Sequence, residues 1–161
     1  MDETKRQELL ARREALKENQ KKAQRLESVS DVTTHLEDAG VSFEIDFEDR
    51  GFQWMTERLP WAFSGIDWSQ VADGTSISYG DEDERDRLTL EILETQLTQE
   101  RRVRVRFGNA ASPELILWAR DLKTCFSTLA DHDMDLWVIC EETGFCLECY
   151  HEGTLGWVVI K

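Results

Sequence analysis

The chain has 161 residues, with 33 Asp and Glu against 19 Lys and Arg, six Trp and 40 % hydrophobic residues. That length allows one domain whose core needs neither disulfides nor metals, and the Trp and apolar content exclude a disordered acidic tail. A formal charge of −14 repels nucleic acid and attracts basic partners, and no apolar run is long enough to span a bilayer. The first residues, MDETKRQELLARRE, lack the apolar region of a secretory signal, so a cytoplasmic protein with reduced thiols is expected.

Residues 2–27 are dominated by Glu, Lys, Arg, Gln, Ala and Leu without Gly or Pro, which predicts a helix. It is expected to be solvated and only loosely docked. Leu9, Leu16 and Ala23 are spaced by seven, a weak hint of a helical contact between chains. This segment carries eight Lys and Arg and six Asp and Glu, leaving residues 28–161 with a net charge of about −16. The division expected is therefore a charged helix over 1–27 and one acidic domain over 28–161.

Ser28 or Ser30 is placed to cap a second helix that stops at Gly40. From Val41 to Phe47 apolar and polar residues alternate, the pattern of a half-buried strand. A helix is expected over about 50–58, closed by Pro60, followed by an irregular aromatic stretch. Trp54, Trp61 and Trp68 are seven apart, but Pro60 and Gly65 interrupt any continuous helix. Residues 75–79 read as a short strand. Residues 81–99 read as a helix that starts on acids favourable to its positive end and buries Leu88, Ile92, Leu93 and Leu97. In RRVRVRF, Val103, Val105 and Phe107 point one way and Arg102, Arg104 and Arg106 the other. ELILW is a neighbouring strand, and 119–132 a covering helix with Leu122, Cys125, Phe126 and Leu129 inward. Three strands in DLWVIC, FCLECYH and LGWVVIK, joined by tight turns, form an antiparallel meander. The predicted fold is α+β: a mostly antiparallel sheet, a C-terminal three-stranded meander, a covering helix and additional N-terminal helices.

Two stretches contain no Lys or Arg. One lies between Arg58 and Arg85 and holds Asp81, Glu82, Asp83 and Glu84; the other follows Lys123 and holds Asp131, Asp133, Asp135, Glu141, Glu142, Glu148 and Glu152. The candidate binding residues are Asp81, Glu82, Asp83 and Glu84 at one site, or Asp131, Asp133, Glu141, Glu142 and Glu152 at the other. Their role would be to pair with Lys and Arg of a partner.

Cys140, Cys146, Cys149 and His151 have the chemistry of a zinc site. On a single strand, however, Cys146 faces one way and Cys149 and His151 the other, so buried structural thiols are the better expectation, with no metal or cofactor. A Cys–His nucleophile built on His151 or His132 is conceivable, but Asp131, Asp133 and Asp135 favour charged His132 over a neutral base. No phosphate loop, nucleophile elbow, H-E-x-x-H or kinase signature is present. The strand arginines could grip phosphates, but in so acidic a domain they are expected to neutralise carboxylates across the sheet. Asp131, Asp133 and Asp135 echo a calcium loop but lack its glycine and closing Glu.

FGNA, SPELILW, DLWVIC and CLECYHEGTLGW resemble the closing half of immunity proteins from bacterial contact-dependent growth-inhibition systems. The resemblance spans about residues 102–161, with LPWAFSGIDWSQV as weaker support. It is carried by Asp135, Trp137, Glu148, Tyr150, His151, Glu152 and Gly153. It implies a non-catalytic cytoplasmic protein that binds a cognate toxin domain, commonly a nuclease. A nuclease needs a basic cleft for phosphates, which carboxylates can fill. The expectation is therefore a toxin inhibitor that contacts neither nucleic acid nor membrane. The alternative is a zinc-stabilised regulatory or adaptor domain on Cys140, Cys146, Cys149 and His151.

Overall fold

The computed structural model describes residues 2–161. Helix α1 (Glu3–Glu27) buries none of its residues, as its near-absence of an apolar stripe dictates. It is held near its C-terminal end, where Lys22 and Arg25 both lie over the Phe47 ring. There Arg25 donates to the carbonyls of Phe47, Ala111 and Ser112 and pairs with Asp49 at 2.8 Å. Helix α2 (Ser30–Asp38) buries Val32 and Leu36. Its N-cap is Val29, without a side-chain bond, because the Ser28 hydroxyl turns back to the Arg25 carbonyl.

Strand β1 (Phe43–Asp46) is shorter than the alternation predicts, and α3 (Arg50–Arg58) follows. The irregular aromatic stretch contains a small hairpin, β2 (Trp61–Ala62) with β3 (Gly65–Ile66), then a single 3-10 turn over Trp68–Gln70. Strand β4 (Thr75–Ser78) leads into α4 (Glu82–Gln96). The Asp81 side chain caps α4 by accepting from the Glu84 amide. Strands β5 (Arg102–Phe107) and β6 (Glu114–Trp118) precede α5 (Ala119–His132), and β7 (Leu136–Cys140), β8 (Phe145–Tyr150) and β9 (Thr154–Val159) complete the chain.

The main sheet is antiparallel in the order β1-β6-β5-β7-β8-β9-β4. The C-terminal meander is present, and the class is α+β as expected. One face is dry. Val103, Val105, Phe107, Leu115, Leu117, Val138 and Leu147 pack there against α2, α4 and α5. The opposite face carries Trp137, Ile139, Cys146 and Val158 under α3, the hairpin and the 3-10 turn. Trp54, Trp61 and Trp68 come from three different elements, yet all pack on this second face.

The second face also holds the arginine row. Arg102 pairs with Glu44, Arg104 with Asp46 and Glu141, and Arg106 with Asp49. The guanidinium groups therefore serve the sheet's own carboxylates, the arrangement expected for an acidic domain.

Candidate functional site

The two basic-free stretches meet in space. A groove of about 530 Å³ lies between the start of α4 and the loop after α5, lined by Tyr79, Asp81, Glu82, Arg85, Asp131, His132, Asp133, Met134 and His151. Arg85, buried at the back, ties the walls together through ion pairs of 2.7 Å to Asp86 and to Asp131. Burial works against its charge, but the hydrogen bonds it donates to Asp131 and Asp86, with the charges of those carboxylates, outweigh that and hold the guanidinium pKa above its ordinary value.

The turn between β8 and β9 joins the same rim. The Tyr79 amide donates to the Gly153 carbonyl and the Tyr79 hydroxyl to the Tyr150 carbonyl, so the turn that carries Glu152 lies at the same end of the sheet as the start of α4. Asp81, Glu82, Asp83, Glu84, Asp131, Asp133 and Glu152 thus share one end of the sheet. Glu141 and Glu142 do not. They occupy the β7–β8 turn at the opposite end, where Glu141 accepts from Arg104 and Glu142 from Arg101. A strand of five residues separates the ends by about 16 Å. The second acidic stretch therefore divides, and most of it joins the first.

Several groove acids already have structural work. Asp81 caps α4, Glu84 accepts from the Gly80 amide, and Asp133 accepts from the amides of Asn109 and Met134. Asp135 is buried and accepts from both the amide and Nδ1 of His151, the latter at 2.9 Å. The D-x-D-x-D carboxylates thus go to Arg85, to the β5–β6 turn and to His151, and do not converge. Glu82, Asp83 and Glu152 are exposed, and among the described residues none of them has a hydrogen-bonded or ionic partner. Met134, 70 % exposed, is the apolar element of the wall.

The groove holds an oriented His151, but its lining contains no Ser, Thr or Cys for that imidazole to activate. Burial also raises the Tyr79 hydroxyl pKa, which suits a structural donor better than a base. The cysteines lie elsewhere. Cys140 and Cys149 are in the dry face and Cys146 is in the other. Among the described residues no three His, Cys, Asp or Glu side chains come together as a metal site. Burial raises the Cys149 thiol to about 12 and Cys146 further still, disfavouring the thiolate that zinc would need.

Two acids have roles that sequence reasoning missed. Glu114, at 0 % exposure, accepts at 2.9 Å from the amides of both Gly51 and Phe52 at the start of α3, with Arg104 and Arg106 beside it. Glu148 accepts from the Ile66 amide and from the indoles of Trp68 and Trp137 at 2.7–2.9 Å. The Trp68 ring reaches it by lying across Gly156, where a Cβ would come within 2.0 Å of the ring. Burial pushes the Glu148 carboxyl up, against the pull of its three donors. One signal for both was available: each is a lone acid in an otherwise apolar strand.

No family model matches the chain, and no curated protein matches it. No helix among the described residues is long and apolar enough to cross a membrane.

Proposed function

We propose that this protein is an immunity protein: a stoichiometric inhibitor that lays its acidic groove face over a basic toxin domain, such as a nuclease, in the cytoplasm. The observation that carries the reading is the convergence of carboxylates from α4, the loop after α5 and the β8–β9 turn at one end of the sheet. Glu82, Asp83 and Glu152 remain free there, while the strand arginines are committed inward. Free carboxylates on a concave rim match the phosphate-binding cations of a nuclease cleft. Each can take a Lys or a bidentate Arg, and their summed field speeds capture. Such a protein needs no catalysis of its own, and the resemblance of residues 102–161 to immunity proteins points the same way.

The test is binding to the purified toxin domain encoded beside this gene, at low and moderate salt. A one-to-one complex that blocks the toxin's activity is expected. The triple variant Glu82→Gln, Asp83→Asn, Glu152→Gln should bind at least about tenfold more weakly and with a flatter salt dependence. A Glu141→Gln, Glu142→Gln variant should bind as the parent does. Equal affinity and equal salt slope for the triple variant would remove the groove from the interface.

A further inference from the structure

The hairpin β2–β3 ends in a residue that its own fold does not use. Phe63 is fully solvent-exposed, at 107 % of its reference area, and takes φ of +57°. With Trp61 paired to Ile66 and Ala62 to Gly65, Phe63 and Ser64 form a two-residue turn. Positive φ at the first turn position favours glycine and costs free energy for any residue with a Cβ. The ring gains nothing from folding because it stays in water, and its backbone is a net cost.

The base of the hairpin, in contrast, is held firmly. Trp61 packs on Trp137 with ring centroids 5.7 Å apart, and the Ile66 amide donates to Glu148. The Ser64 and Tyr150 hydroxyls are hydrogen-bonded at 2.8 Å. The Tyr150 ring in turn packs at a tilt against His151, 4.3 Å between centroids, and His151 lines the acidic groove. The ring is therefore presented from a rigid mount beside the groove. An ordinary interface of about 800 Å² per partner has a radius of about 16 Å, enough to include both.

We propose that Phe63 is the aromatic anchor of the interface with the basic toxin domain, inserted into an apolar pocket while the groove carboxylates pair with cations around it. The inference rests on the function proposed above. Charge selects the occupant. The hairpin lies in the stretch from Arg58 to Arg85 that contains no other Lys or Arg, between Asp67, which directly follows β3, and Glu152 beyond Tyr150. A second copy of this chain, at −14, is repelled from such a surface, whereas a cationic domain is drawn to it. Exposed aromatics on preorganised supports are the residues that carry binding energy at interfaces.

The deciding variant is Phe63→Gly, because glycine suits the backbone and removes only the ring. Its melting temperature should equal or exceed that of the parent, while its affinity for the purified toxin domain should fall at least about thirtyfold. The loss should lie mainly in the dissociation rate, with the salt slope unchanged because no charge is altered. Parent-like affinity in Phe63→Gly, with the parent itself binding, would overturn the anchor and leave the acidic-groove reading standing. A melting temperature several degrees lower would make Phe63 a structural residue and likewise overturn the anchor. If the parent fails to bind, the immunity reading falls and the anchor falls with it.

Discussion

Replacing Glu114 by Gln removes one charge and one acceptor from beneath the start of α3 with almost no change in side-chain volume, so no cavity enters the result. The native carboxylate accepts one amide on each oxygen, Gly51 on Oε2 and Phe52 on Oε1. Gln keeps one of these bonds and turns its NH2 towards the other amide, donor against donor. Losing a buried hydrogen bond to a charged acceptor costs about 1.5–3 kcal/mol, and leaving its donor unsatisfied adds about 1–3 kcal/mol. Arg104 and Arg106 also lose a neighbouring negative charge but keep Asp46, Glu141 and Asp49, which limits that part of the loss. A net destabilisation of about 3 kcal/mol follows. For a chain of this length it corresponds to about 6–12 °C in melting temperature. Thermal unfolding by circular dichroism and the urea midpoint at constant m would both read it. Glu44→Gln, which removes only an exposed partner of Arg102, is the matched control and should shift the midpoint little. A Glu114→Gln variant that melts within about 2 °C of the parent would refute this account of how α3 is fastened to the sheet.

Glu148 gives a pH-dependent signature. Its folded pKa is raised, so the native state holds this proton more tightly than the unfolded chain does. Its contribution to stability is fully present below the ordinary carboxylate pKa and is lost as pH rises through the folded value. Urea midpoints measured from about pH 4 to 7 should fall more steeply for the parent than for Glu148→Gln, and parallel profiles would contradict the assignment. The four cysteines are free and buried. Their reaction with a thiol reagent should therefore await unfolding, and a metal chelator should leave the melting temperature unchanged. Rapid labelling of the native protein, or a chelator-induced drop of several degrees, would restore a Cys–His metal site to consideration.

Most elements were legible because their periodicities are clean. The alternation in RVRVRF placed Arg102, Arg104 and Arg106 on one face, and the spacing of Leu122, Cys125, Phe126 and Leu129 located α5. The meander was written in apolar runs separated by Gly-containing turns. What stayed hidden depends on contacts between residues far apart in sequence. Glu114 and Glu148 stand out in sequence as lone acids in apolar strands, but their partners do not: Gly51 and Ile66 lie 63 and 82 residues earlier. The hairpin at Trp61–Ile66 is too short for a periodic signal. The acidic stretches were visible, but not that the second one would divide. Residues either side of β7 lie at opposite ends of the sheet, and this separates Glu141 and Glu142 from Asp133.

The strand order has a consequence for how the chain survives its own synthesis. Strands β5 to β9, all from the C-terminal sixty residues, form the middle of the sheet, and its two edges are β1 and β4 from the N-terminal half. Alone, the five central strands would present two bare apolar edges, each a template for pairing with another chain. The ribosome releases the two short edge strands first, so both guards are already in solution when the strands they protect emerge.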